Sequence, residues 1–479
     1  MGAHDKRKRL ILPGLLALLC VGTLFVIAWQ LEWFGVAVAA NTPEIAADEA
    51  APDDEALGAG SRPLQVADET AREGAAPDDS RKPEAELDEV PWPDARLIAT
   101  AHPNPLTGDP DPERSFGSLD WLSAHQNENG YWSAGDFGSN SGRKGAFATH
   151  GSEREGFGDP DIDAGAADAD LAVTSFALLT YLGAGYDHKN GAYNQVVRQA
   201  ILWLRKNQTD TGWPNSRGVR DHALATIALC EAYGLSGDTV IKTLAEKAVE
   251  QLLKLQHSYS GWGENSWGTA DIISTGYAVM AIKAAKMCGL EVEWESAGLH
   301  TFLEHVYDDG EVAYSDSQKL PPDQRAQGFE RGPVCAAAWL VCALFTSYCE
   351  LTDPSVRACA DLLVRDEHLP KWERGHVDME LWWFATQAIY QTGGSYLPNG
   401  NKRWDRWEKA LSAVLTNNQR GYTDFDKQRG QTEAAKLDEH GSWDAIDVFS
   451  RDGRVSTTAL AGLCLSIYYR YLRLEDQVR

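Results

Sequence analysis

Acids and arginines recur along this chain at one kind of position. Asp170, Asp221, Asp271 and Asp378 each stand just before an apolar run of helical length, and Arg331 and Arg454 hold the equivalent place before two more. Asp at such a boundary is a preferred helix cap, and its charge suits the N-terminal end of the helix dipole. Arg there is opposed by the dipole by about 0.3 to 1 kcal/mol, so Arg331 and Arg454 need acidic neighbours. If the six runs are set in a ring, Arg331 falls between Asp271 and Asp378, and Arg454 between Asp378 and Asp170. A rim of that kind offers ion pairing, or a polar ligand site with both signs of charge. His222 follows Asp221 and adds a titratable group, although a lone His is more often structural. Asp168 and Asp170 bring two carboxyls to the start of the first run, where either is placed to cap it.

The elements that must carry this rim are repeated hairpins. A helix ending in Gln, a short Gly-Trp turn and a second apolar helix recur: Gln126 to Trp132, Gln208 to Trp213 and Gln256 to Trp262. Weaker copies stand at Asp309-Gly310 to Tyr314 and at Leu369 to Trp372, and a last clear one at Gly441-Ser442-Trp443. The helix before each turn has a wet face, as in Tyr193 to Asn207 and Val240 to Leu255, which marks it as outer. The helix after each turn is apolar nearly all round: Leu171 to Leu182, His222 to Tyr233, Ile272 to Met287, Val334 to Tyr348, Met379 to Tyr390 and Val455 to Tyr468. Such helices belong inside. Six outer and six inner helices, alternating and joined by short turns, predict an all-α fold, an (α/α)6 toroid of two concentric rings.

Gln, Gly and Trp at this spacing before an inner helix resemble the QW repeats of squalene-hopene cyclases and the repeats of protein prenyltransferase β subunits, over roughly Phe116 to Tyr471. The resemblance implies the terpene cyclase and prenyltransferase toroid, without its complete chemistry. Asp168 and Asp170 align with the first and middle acids of the cyclase Asp-x-Asp-Asp run, but Leu171 replaces the last. Asp378 aligns with the Asp of the prenyltransferase zinc site, but its Cys and His partners are missing from Val377-Asp378-Met379-Glu380 and from Val455-Ser456-Thr457-Thr458. No metal and no cofactor are therefore expected. Trp339, Trp382 and Trp383 lie on inner helices, where core packing and the lining of an apolar cavity account for them equally.

The formal charge of −26 and pI near 4.8 argue against nucleic acid as a partner. The eight Cys do not form a disulfide framework, and Cys335, Cys342 and Cys349 share one helix face as small hydrophobes. Residues 1–9 form a basic tail with Lys6, Arg7, Lys8 and Arg9; 10–30 an uncharged span long enough for a bilayer; 31–114 an acidic, Ala- and Pro-rich stalk; and 115–475 the toroid. This order predicts a single-pass membrane protein with a cytoplasmic N-terminus and an extracytoplasmic bulk, or a secreted one if the chain is cut near Ala37-Val38-Ala39. The first expectation for function is a squalene-cyclase-like toroid that binds a small-molecule, lipid or protein ligand at its rim. A terpenoid- or lipid-modifying enzyme comes second and a carbohydrate-active enzyme third.

Overall fold

The computed structural model describes residues 112–142, 163–265, 269–316, 331–394, 398–428 and 437–467, all within the second of the chain's two units, Ala85–Gln477. The basic tail, the apolar span and the acidic stretch as far as residue 111 lie outside the described residues, as do residues 143–162. Among the described residues no helix is long and apolar enough to cross a membrane.

Among the described residues, twelve helices of ten residues or more alternate between two rings. The outer helices are α1 (Pro112–Ala124), α3 (Asn194–Asn207), α5 (Thr239–Lys254), α7 (Ala297–Val306), α9 (Pro354–Leu363) and α11 (Gly400–Asn418). The inner helices are α2 (Asp170–Gly183), α4 (Val219–Ser236), α6 (Ile272–Met287), α8 (Gly332–Phe345), α10 (Met379–Thr392) and α12 (Gly453–Leu465). Each inner helix packs on the next, and α12 returns to α2, so the inner ring closes. At that closure the Thr180 hydroxyl donates to the Ala459 carbonyl at 3.2 Å. The inner helices bury nearly every residue, whereas the outer ones bury a stripe such as Val197, Ala200, Ile201 and Leu204 of α3. That difference is the one expected of helices apolar on all sides and helices apolar on one.

The Gly-Trp turns act within their own hairpins. The indole N–H of Trp132 donates to the Leu122 carbonyl at 2.7 Å, that of Trp213 to Leu204 at 3.0 Å, that of Trp262 to Leu252 at 2.8 Å and that of Trp443 to Leu415 at 2.8 Å. The Gln does the bridging between hairpins: Gln126 donates to Val196 O and Gln208 to Leu244 O, each on the following outer helix. Gln256 donates to Ser260 O inside its own turn and bridges through its Oε1, which accepts from the Trp294 indole ahead of the next outer helix at 2.8 Å. The sequence pattern missed Gln419, which lies far upstream of its Trp and donates to Gly441 O at 2.9 Å. Gly441 has φ +92°, and a Cβ there would stand 2.0 Å from the Gly117 carbonyl, so the last turn meets the first outer helix where no side chain fits. At the fourth turn Asp309 and Gly310, with φ of +44° and +93°, close a two-stranded hairpin between Tyr307–Asp308 and Glu311–Val312.

Aromatic rings fill the axis below the mouth at the inner-helix N-termini. Tyr277 meets Phe384 edge-on at 4.8 Å and Phe176 at 6.5 Å, and Gly276 lets Phe384 approach where a Cβ would stand 2.9 Å from its ring. Trp339, Trp382 and Trp383 are buried as well, Trp339 against the outer ring, where its indole donates to the Leu303 carbonyl at 3.0 Å, and Trp382 against Trp372.

Candidate functional site at the inner-helix mouth

Three arginines and a group of carboxyls converge above the aromatic plug. Arg220, on the first turn of α4, reaches Asp452 at 2.9 Å, Glu380 at 3.3 Å and Asp221 at 3.4 Å, and its guanidinium lies over the rings of Phe176 and Tyr277. Arg217 joins Asp221 at 2.9 Å to Asp452 at 2.8 Å. Arg331 reaches Asp378 at 2.8 Å and Glu380 at 3.1 Å. Glu380 therefore sits between two guanidiniums, in the first turn of α10. Its side chain keeps 15% of its surface exposed, so it faces the mouth.

Asp271 and Asp447 differ from the rest, for among the described residues neither pairs with Lys or Arg. The Asp271 carboxylate caps α6 by accepting from the Ser274 N–H at 2.7 Å, and burial pushes its pKa up to about 6. Asp447 lies in the loop before α12 and accepts from the Met379 and Phe449 N–H groups at 2.9 and 2.8 Å. Burial, with the charge of Asp378 beside it, pushes Asp447 up to about 7. Glu380 adds to the upward push on both. Asp378 caps α10 through the Leu381 N–H at 2.9 Å and is also raised, because burial outweighs its bond to Arg331. At Asp452 burial is overcome by Arg220 and Arg217, which hold the carboxyl below its usual value. Proton-bearing and ionised carboxyls thus stand side by side in one mouth.

The rim residues expected from sequence divide accordingly. Asp221, Asp271, Arg331 and Asp378 come together; Arg331 pairs with Asp378 as expected, but not with Asp271. Arg454 does not reach the rim. It is buried, contacting Asp163 and Asp444 at 2.8 Å and Ser442 at 2.9 Å, because its side chain turns down behind the last Gly-Trp turn. His222 is structural: its ring bonds Ala248 O at 2.9 Å, meets Trp213 edge-on at 5.1 Å, and is held below the usual histidine pKa by burial. Asp170 accepts from the Ala134 N–H at 2.9 Å instead of capping its helix, and burial raises its pKa where the helix dipole alone would lower it. Asp168 is exposed beside it. The sequence reading missed Arg217, Arg220, Glu380, Asp447 and Asp452. Arg220 and Glu380 adjoin recognised boundary acids, and that adjacency was the available signal; Asp447 and Asp452 lie in a loop without periodicity.

The raised acids imply a pH dependence of stability. Unfolded, Asp271 and Asp447 titrate near the ordinary 3.8; folded, they hold protons to about 6 and about 7. The folded chain therefore binds more protons across that window, and their contribution to stability is lost as pH rises through it. The melting temperature of the purified protein is expected to drop from pH 5 to pH 8 by more in the wild type than in an Asp271→Asn/Asp447→Asn variant. Equal drops would show that these two acids do not carry the linkage.

No family model matches the chain, and no curated protein matches it. Among solved structures, the GH76A alpha-1,6-mannanase of Salegentibacter sp. HEL1_6 is similar at 12% identity and TM-score 0.48, as an inactive variant in complex with alpha-1,6-mannotriose, over 74% of this chain and 98% of that one. The same mannanase without those changes gives 14% identity and TM-score 0.44 over the same shares. An alpha-amylase from Clostridium perfringens gives 10% and 0.43, over 74% of this chain and 97% of that one. These neighbours are glycoside hydrolases, where the resemblance drawn from the Gly-Trp turns had pointed to terpene cyclases and prenyltransferases. The resemblance is corrected to the helical toroid alone, and the squalene-cyclase-like binding module is withdrawn with it. The physical reason is visible in the turns: each indole ties its own hairpin, so the repeats report how the hairpins close and nothing of what the mouth does.

Proposed function

We propose that the chain is a carbohydrate-active enzyme that cleaves glycosidic bonds at the inner-helix mouth. The observation that supports this reading most is the placing of Glu380, held between two arginines, whose charge helps to raise two buried carboxyls, Asp271 to about 6 and Asp447 to about 7. Glycoside cleavage needs such a division, one carboxylic acid to protonate the leaving oxygen and one carboxylate to act as base or nucleophile. Asp447 holds its proton to the higher pH and takes the acid role. Each of its oxygens accepts one backbone N–H, which fixes the carboxyl and leaves a second lone-pair direction on each. Glu380 takes the carboxylate role.

The substrate would lie between exposed aromatics. Tyr314 is 41% exposed beside Asp271 and Glu380, and Phe449 is 48% exposed over the Arg331 guanidinium at 5.4 Å. The apolar faces of sugar rings pack on such surfaces while their hydroxyls bond charged groups at the edges. The N-terminal order of basic tail, uncharged span and acidic stalk supports an anchor that holds this mouth outside the cytoplasm, where glycans are at hand.

Incubating the purified protein with a panel of α- and β-linked oligosaccharides and with cell-envelope glycans, and measuring released reducing ends, tests the proposal. Turnover of at least one glycan is expected. Absence of turnover across the panel, with the protein folded, would count against it.

A further inference from the structure

Toward the end of the inner ring away from the mouth, two cysteines on neighbouring helices lie close together. Cys230 lies on α4 and is buried; Cys288 ends α6 and is half-buried. Helices α4 and α6 pack directly together. Gly234 follows Cys230 by one turn on the same face of α4, and a Cβ placed on Gly234 would stand 3.1 Å from the Cys288 Cβ. The glycine thus lets Cys288 settle onto the face that carries Cys230. The interaction between the two thiols is the largest influence on each, ahead of burial. Among the described residues, Cys335 and Cys342 are enclosed by core, the Cys349 sulfur faces the Ser355 hydroxyl at 3.6 Å, and Cys359 near it is buried.

We propose that Cys230 and Cys288 are a disulfide-forming pair that links α4 to α6 when the protein meets an exchangeable small-molecule disulfide. The geometry also orders the steps. Cys288 is the more accessible sulfur; its thiol donates to the Ala285 carbonyl at 3.2 Å, and the neighbouring Cys230 thiol and the Leu290 N–H lower its pKa, while Cys230 is raised by the same neighbour and by burial. The Cys288 thiolate attacks the disulfide, forming a mixed disulfide and expelling one thiolate. Cys230 then loses its proton and attacks the Cys288 sulfur, expelling the second. Two protein thiols become one disulfide, and the small disulfide is reduced to two thiols. Closure ties residues far apart in sequence, which constrains the unfolded chain and favours the folded one.

The test equilibrates the full chain, purified reduced, in glutathione buffers of increasing oxidised fraction, followed by peptide mapping without reductant. The expected result is one intramolecular link between the Cys230 and Cys288 peptides, with loss of two hydrogen atoms, and a higher melting temperature that reductant reverses. Cys288→Ser should abolish both effects. Gly234→Ala keeps both thiols but crowds Cys288 away, and should move the transition to a more oxidising buffer. Retention of both thiols in fully oxidised glutathione, a stable glutathione adduct on Cys288 with Cys230 still reduced, or a link between other cysteines would each overturn the proposal. None of these readouts depends on whether the mouth cleaves glycans.

Discussion

Replacing Glu380 by Gln is expected to lower turnover of a cleaved glycan by about 100- to 10,000-fold, the range that a positioned acid or base contributes. The side chain keeps its length and one acceptor oxygen, so it can still take one of the two bonds from Arg220 Nε and Arg331 Nη1. What it loses is the negative charge that must support a developing oxocarbenium ion or activate its attacker. The same change removes part of the push that holds protons on Asp271 and Asp447, so both should become more acidic. Residual activity should then fall away at lower pH than in the wild type, because the acid form of Asp447 is lost earlier. Glu380→Asp retains charge but withdraws it from the mouth and should lie between the two. Kinetics on the best substrate from the glycan panel, beside circular dichroism melts of each variant, provide the measurement. Wild-type turnover in a folded Glu380→Gln protein would remove Glu380 from the chemistry.

The scaffold was legible in the sequence because its signals are periodic. Inner and outer helices differ in how much of their circumference is apolar, and the Gly-Trp turns mark the boundaries, so twelve helices and the closure of α12 on α2 follow from patterns of a few residues. The mouth was legible only where its residues occupy helix boundaries, as Asp221, Asp271, Arg331 and Asp378 do. Direction is what a boundary position does not encode. Arg331 and Arg454 stand at matching sites, yet one guanidinium reaches the mouth and the other is buried below it. Chemistry was least legible, because the repeats that drew the eye to terpene cyclases are hairpin closures. Asp447 matters through the company that folding gives it, the N-terminus of α10 and the charges of Asp378 and Glu380, all remote in sequence.

Those two arginines also separate a large stability effect from a small one. Arg454→Ala is expected to destabilise the fold by about 3 to 5 kcal/mol, the cost of leaving buried carboxylates without their counter-charge. Its side chain is 1% exposed, and its removal strands Asp163 and a large part of the compensation at Asp444. Arg420, 3.5 Å from Asp444, keeps that carboxylate from being wholly orphaned and favours the lower end of the range. Arg331 is 28% exposed, and Glu380, one of its two partners, keeps 15% of its side chain open, so solvent replaces part of what its loss removes. Arg331→Ala should cost about 1 kcal/mol or less, as pairs near the surface do. Adding Asp444→Asn to Arg454→Ala should recover part of the loss, since the stranded charge goes with it, and the cycle gives the coupling directly. Urea unfolding of the single and double variants supplies the free energies. Equal costs for the two arginines would mean that the buried network at the last turn does not hold the ring closed.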